Sequence, residues 1–325
     1  MASSKPTPVI SVIMPSHNEE ERIAAAVESV FSQSFEAVEL IVVDDASSDA
    51  TVAVLQDLAQ RYPALTVAVQ PRNQGPGPAR NAGLARARGE FIAFLDADDA
   101  WHPECLATLH ATLRRHPEAA LTYCGWQNIG LSGPRSEPFV PPDYETPDKV
   151  EVLLRGCRWP IHGALTRKRA IDDVGGFDEQ WSSSMDYDLW LRVGATHRIV
   201  LTPAVLAYYH HHGGEQITKN RLRVALNHIR IQENFLRNNP RVARALGRAR
   251  VRDILASELS KRAYISFWGR DLPTAHALFR RMLTSGRFRP SDLKYAMPAL
   301  LPYPVFRSIV ARADRGAGGA DGHAG

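Results

Sequence analysis

Cysteine is scarce: Cys105, Cys124 and Cys157 are the only three in 325 residues. Their odd number and scattered spacing exclude a disulfide framework and a zinc module, and fit reduced thiols. No run of ~20 apolar residues occurs, so nothing reads as a membrane span. Met1 to Pro8 is short and polar with no apolar core, which predicts no secretory signal and a cytoplasmic protein. The first strand–helix turn reads P-S-H-N-E-E. It lacks the Gly-x-Gly-x-x-Gly that lets a backbone approach a dinucleotide, which argues against a dehydrogenase or methyltransferase. The early phosphate loop rich in Gly, Lys and Arg that a nucleotidyltransferase usually carries is also missing. No recognised nucleic-acid module is present, so no nucleic-acid partner is expected.

Each region of the chain is short of one charge sign, and the net charge of +4 conceals this. From Lys219 onward there are 21 Lys and Arg against 7 Asp and Glu, a net of +14. The residues before it carry 18 against 28, a net of −10. A basic tail on an acidic body fits either an anionic partner such as a membrane surface or a solvated helical face. A homodimer interface is a further use for those helices.

Val9 to Met14 is β-branched and apolar, a buried first strand ended by Pro15. Asn18 with Glu21 makes a capping-box pattern ahead of Ile23, Val27, Val30 and Phe31 at helical spacing. Val38 to Val43 runs into Asp44-Asp45, a helix follows through Val52, Leu55 and Leu58, and Val67 to Val69 predicts a short strand. Asn73 to Gly83 is a Gly/Pro-rich loop opening a helix, with Pro78 in the first turn and Gly89 closing it. After the apolar run from Phe91, Leu106, Leu109 and Leu113 mark a helix and Ala120 to Cys124 a strand. This alternation predicts a doubly wound, mostly parallel α/β sheet.

Gly130 to Asp148 reads as a long loop, of a length that is usually functional or disordered. Ser184 to Arg192 starts a helix with Asp186 and Asp188 in its first turn, where negative charge is favoured. Ile199 to Ala207 is the last strand-like run, followed by Tyr208-Tyr209-His210-His211-His212. Beyond Lys219 helix follows helix, with a hairpin turning at Gly269-Arg270-Asp271.

The stretch Phe91 to Trp101, F-I-A-F-L-D-A-D-D-A-W, drives five apolar residues into Asp96, Asp98 and Asp99. A buried strand ending in clustered carboxylates needs a cation or donors to offset their repulsion. Oxygen-only ligands suit Mg²⁺ or Mn²⁺, which commonly bridge carboxylates and a substrate's phosphates. A polar turn after a strand looks much the same, so the stretch alone leaves both readings open.

Six stretches together carry a resemblance: V-I-S-V-I-M-P-S-H-N-E-E, I-V-V-D-D-A-S-S-D-A-T, G-P-A-R-N-A-G, F-I-A-F-L-D-A-D-D-A-W, G-G-F-D-E and M-D-Y-D-L-W-L-R. In this order, over roughly residues 8 to 215, the chain resembles an inverting family 2 glycosyltransferase of the GT-A fold. The resemblance implies a GT-A-type α/β sheet with a C-terminal helical extension. Its expected parts are a flexible lead over 1–8, the GT-A domain over 9–218, helices over 219–312 and a disordered tail over 313–325.

The activity implied is transfer of a sugar from a nucleotide-diphosphate donor, UDP-sugar by family frequency, to a glycan or lipid-linked hydroxyl in cell-surface polysaccharide synthesis. Asp45 would then meet the nucleobase imide N–H, Asp96 the ribose side, and Asp98 with His212 the cation, Mn²⁺ or Mg²⁺. Pro15, His17, Glu19, Arg80 and Ala97 complete the nucleotide-sugar set, and Asp186 is the general base. Two departures stand out: Met185 replaces a usual Glu, and His210 stands where Arg is common. Bland alternatives remain for individual residues: Asp45 and Asp186 as helix caps, Arg80 as a surface ion pair, His212 as a solvated edge. A catalytically silent nucleotide-sugar-binding subunit would lack the base or the metal acid, and both are present.

Overall fold

The computed structural model describes residues 7–214 and 216–318. The chain divides into two compact units between residues 215 and 216, where the sequence pattern puts the boundary at 218/219. Residues 1–6 of the expected flexible lead and 319–325 of the expected disordered tail lie outside the described residues.

The first unit is built on one eight-stranded sheet. In chain order its elements are β1 (Ile10–Ser16), α1 (Ile23–Phe31), β2 (Val38–Asp44), α2 (Thr51–Arg61), β3 (Leu65–Val69), α3 (Pro76–Leu84), β4 (Phe91–Phe94) and β5 (Ala100–Trp101). They continue with α4 (Cys105–Arg115), β6 (Ala119–Ile129), α5 (Lys149–Arg155), β7 (Ala164–Arg167), α6 (Lys168–Asp173), α7 (Met185–Thr196) and β8 (Arg198–His210). The strand order is β3-β2-β1-β4-β7-β6-β8-β5.

Strands β1 to β4 pair in parallel, as alternating strands and helices require. Their side chains are apolar on both faces because helices cover both sides. Ile10, Val12, Ile13 and Met14 of β1 are completely buried, each burial contributing about 1.5–3 kcal/mol relative to exposure. The sheet as a whole is mixed, since β7 runs antiparallel between β4 and β6, and β5 runs antiparallel on β8. Four residues of β7 and two of β5 are too short for any periodicity to announce them.

Two local expectations are corrected. Pro15 does not end β1; it pairs in register with Val43, and Ser16 opposite Asp44 is the last strand residue. Asn18 and Glu21 form no capping box, because α1 starts only at Ile23 and has no side-chain cap. Asn18 instead holds a left-handed backbone, φ 56°, and ties its loop to the one after β2. Its Oδ1 accepts from Ser48 N at 2.8 Å, and its own N–H donates to Ser47 Oγ at 2.9 Å.

The second unit is helical: α8 (Arg221–Asn238), α9 (Pro240–Leu246), α10 (Arg248–Trp268), α11 (Leu272–Thr284), α12 (Leu293–Ala296) and α13 (Tyr303–Gly318). Helices α10 and α11 form the hairpin, and Arg270 makes the turn in a left-handed conformation, φ 60°. Ala263, Phe267, Ala275 and Phe279 close its core. Helix α13 extends through Gly318, into the segment expected to be disordered. Its Phe306 and Val310 are buried with that core, which orders the turn around them.

Candidate active site

Parallel strands in register end together, and this brings the acids to one rim. Ser16 and Asp44 are partners at the ends of β1 and β2, while Phe94, the last residue of β4, lies opposite Ile13. The loops that leave this rim carry backbone strain. Asn18 (φ 56°), Ala46 (φ 58°) and Ser184 (φ 58°) are left-handed without being glycine, and they flank His17 and Glu19, Asp45, and Asp186. Such conformations persist only where surrounding contacts over-determine them, and they cluster at functional sites.

Asp45 is buried and its carboxylate gathers the Gly/Pro-rich loop. Oδ1 accepts from Gln74 N at 2.9 Å and Oδ2 from Gly75 N at 2.6 Å. Gly75 has φ 89° and caps α3, a position that favours glycine. His17 Nδ1 donates to the Asp45 carbonyl at 2.9 Å, because a carbonyl only accepts, so the first and second loops are locked to each other.

Helix α3 aims Arg80 at the centre of the rim. Its side chain is 6% exposed, pairs with Asp96 Oδ1 and lies over the Phe177 ring at 5.6 Å. Phe177 belongs to the G-G-F-D-E turn, which Asn81 holds by accepting from Phe177 N and donating to Phe177 O, both at 2.9 Å. Asp186, one residue into α7, is half-buried beside these groups. Loss of hydration pushes its carboxyl above the ordinary range, Asp96 adds to this, and Arg80 opposes it. A carboxylate whose pKa is raised by burial is the kind of group that serves as a general base. Met185, which replaces the usual acid, is buried, and its sulfur faces the backbone of Gly77 in the first turn of α3.

The D-A-D-D turn divides its carboxylates among different partners. Asp96 faces Arg80, and Ala97 is buried beneath the turn. Asp98 Oδ2 lies 3.0 Å from His212 Nε2, both side chains about one-fifth exposed or less. Glu19 stands close enough to feel both of them. Burial raises its carboxyl, Asp98 adds to that, and Arg22, paired with it at 2.7 Å, opposes it. Asp99 turns inward, where its Oδ1 accepts from His210 N at 2.8 Å and its Oδ2 lies 2.9 Å from the fully buried His162 Nδ1. Burial raises the Asp99 carboxyl, and the neighbouring imidazole partly offsets it. Asp99 therefore fastens the turn to the end of β8, which positions His212 against Asp98.

All ten residues proposed from the sequence fall on this rim or the loops that line it. Arg22 and His162 were missed. A lone Arg after an acidic run and a lone His in P-I-H-G carry no signal of their own. Among the described residues no three His, Cys, Asp or Glu side chains converge as a complete metal cage. One carboxylate and one imidazole nevertheless meet at Asp98 and His212. That donor pair would suit a divalent ion, and its imidazole would favour Mn²⁺ over Mg²⁺.

Known proteins share this architecture. The chain is 33% identical over 188 residues to the O-antigen biosynthesis protein RfbC of Myxococcus xanthus, a match covering 57% of this chain and 14% of that protein. Several curated relatives are longer proteins, of which this chain spans well under two thirds. Among solved structures, S. aureus TarS superposes with a TM-score of 0.63 at 21% identity, covering 92% of this chain and 54% of that one. The mannosyltransferase PcManGT from Pyrobaculum calidifontis, in complex with GDP-Man and Mn²⁺, superposes with a TM-score of 0.57 at 21% identity, covering 94% and 83%. At these identities the structures establish the shared fold. The glycosyl transferase family 2 model matches residues 11–173, half of the chain, from β1 through α6. With the six motifs in their family order on this sheet, the chain belongs to glycosyltransferase family 2.

Proposed function

We propose that this glycosyltransferase moves a sugar, with inversion, from a nucleotide-diphosphate donor to an acceptor hydroxyl of a glycan or lipid-linked glycan during cell-surface polysaccharide synthesis. The observation that carries the reading is the convergence of Arg80, Asp96 and Asp186 beside the Asp98–His212 pair at one rim. Polysaccharide synthesis is supported by the name of the Myxococcus relative. A UDP-sugar is supported by a TarS structure in complex with UDP-GlcNAc, which superposes with a TM-score of 0.55.

In this reading Asp45 accepts the nucleobase imide N–H while it holds the Gln74–Gly75 loop. Pro15, His17 and Glu19 line the nucleoside side, and Asp96 and Ala97 meet the ribose and sugar. Arg80 orients Asp96 and tempers the charge between it and Asp186. Asp98 and His212 would hold Mn²⁺ or Mg²⁺, which when bound neutralises the charge developing on the departing diphosphate. Asp186 takes the proton of the acceptor hydroxyl as its oxygen bonds to the anomeric carbon and the bond to the diphosphate oxygen breaks. Attack opposite the leaving group inverts the anomeric centre.

The test is a donor-hydrolysis and transfer screen over UDP-, dTDP- and GDP-sugars with Mn²⁺ or Mg²⁺. Turnover of one donor with an inverted product is the expected result. Binding without turnover across the screen would instead favour a silent subunit.

The helical unit is proposed to dock on the cytoplasmic face of a membrane. Among the described residues no helix is long and apolar enough to cross one. Met297, Leu300, Leu301, Val305 and Ile309 are exposed around the start of α13, on a segment that also carries Arg307 and Arg312. Apolar anchors beside arginines are what an interfacial helix presents to anionic lipid.

A further inference from the structure

Beside the rim lies a cavity of about 340 Å³ that none of the roles above uses. It is formed where β6 meets the segment 131–139, Arg158 and His211. That segment falls within the long loop expected over Gly130 to Asp148, and it is fastened at several points. Trp126 and Phe139 exchange backbone hydrogen bonds at 2.9 Å, Gln127 Nε2 donates to Ser136 O at 3.1 Å, and Asn128 Nδ2 donates to Arg135 O at 2.8 Å. Gly125 leaves no room for a side chain, since a Cβ there would stand 2.6 Å from Phe139 O. The cavity is preformed, as small-ligand sites usually are.

Its lining combines aromatic faces with fixed positive charge. Trp126 and Phe139 meet edge to face with ring centroids 4.8 Å apart, and the Arg158 guanidinium lies over the Phe139 ring at 4.7 Å. Arg135 and His211 both line the cavity. His211 Nε2 in turn donates to Asn128 Oδ1 at 2.9 Å. Glu137 is the one acid of the lining, against the two arginines. No ion pair joins Arg135 or Arg158 to a carboxylate among the described residues. Aromatic rings suit the apolar face of a pyranose, and two unpaired guanidiniums suit an anionic substituent on it.

The cavity is also tied to both halves of the catalytic rim. His211 immediately precedes His212, which touches Asp98. Arg158 immediately follows Cys157, a half-buried residue whose thiol lies close enough to Asp186 to feel its charge. We propose that this cavity is the acceptor subsite and that the acceptor is an anionic glycan, bearing a carboxylate or a phosphodiester that Arg135 and Arg158 recognise. The inference rests on the glycosyltransfer reading above and adds the acceptor's chemical class to it.

The test measures binding of three probes to the full chain by saturation-transfer NMR: a uronate-containing tetrasaccharide, an oligo(glycerol phosphate) and neutral maltotetraose. UDP affinity is followed in parallel. One anionic probe is expected to bind about tenfold or more tighter than maltotetraose, as one or two charge-assisted hydrogen bonds provide. The preferred probe tells carboxylate from phosphodiester. R135Q and R158Q should each remove most of that preference while UDP affinity stays at the wild-type value, and R158K should retain part of it. Equal binding of neutral and anionic probes, no probe binding at all, or full preference in R135Q and R158Q would overturn the assignment. If UDP binds normally in that case, only the acceptor inference fails. A wild-type chain that binds neither UDP nor nucleotide sugar would overturn the glycosyltransfer reading beneath it.

Discussion

Asp98 and His212, 114 residues apart in the chain, face each other across 3.0 Å between Oδ2 and Nε2. Neither reaches that position alone. Asp98 leaves the end of β4 in a tight turn, and His212 leaves the end of β8, three strands further across the sheet. Asp99 joins them by accepting the His210 N–H from within the same turn. The pair is thus a product of the sheet's strand order.

The first prediction concerns that pair. Asp98→Ala should weaken nucleotide binding in the presence of Mn²⁺ by about tenfold or more, with little change when metal is chelated. His212→Ala should act in the same direction. Calorimetry with and without Mn²⁺ checks this, and an unaltered metal-dependent affinity would place the cation elsewhere.

Asp186→Asn should lower kcat by about 10²–10⁴ while nucleotide-sugar affinity stays close to wild type, because a base acts mainly in the transition state. The wild-type pH profile should carry the same signature. The Asp186 carboxyl is raised above 3.8, chiefly by burial, so activity should fall on the acid side at a pH above the ordinary carboxylate range. Near-normal turnover in the asparagine variant would reject the role.

A stability effect is expected away from the rim at Glu39, buried in β2. Burial pushes its carboxyl up, but Ser11 Oγ at 2.7 Å, Arg88 N at 2.8 Å and the Arg88 guanidinium at 2.6 Å outweigh it and hold the group below 4.5. A depressed folded pKa contributes stability that is present above about 4.5 and is lost as pH falls through the folded value. Glu39→Gln should therefore destabilise by about 1–3 kcal/mol at pH 7, and the difference from wild type should shrink below pH 4.5. Thermal unfolding at both pH values reads this out; a gap that stays constant with pH would contradict it.

For the helical unit, co-sedimentation with anionic liposomes should exceed recovery with neutral vesicles and fall as salt is raised. Leu301→Gln, just before α13, with Val305→Gln, in its first turn, should reduce recovery severalfold while leaving helicity unchanged, since both side chains are exposed. Equal recovery on neutral vesicles would count against electrostatic docking, and a concentration-dependent dimer lost in the same variant would assign the patch to self-association.

Local sequence determined the strands and helices of the parallel half, because a buried apolar run or a 3.6-residue stripe is visible within ten residues. It also determined which acids stand at strand ends, since D-D and D-A-D follow the apolar runs directly. The tertiary structure alone decided what those acids meet. Asn18 looked like a helix cap and became a clasp between loops. Asp99 turned inward to a histidine that no motif marks, and the segment after β6 became the wall of a cavity. Those outcomes depend on contacts between residues tens to over a hundred positions apart, whose pairing follows from strand order and register. The short antiparallel strands β5 and β7 set that order, and they carry too few residues to show a pattern of their own.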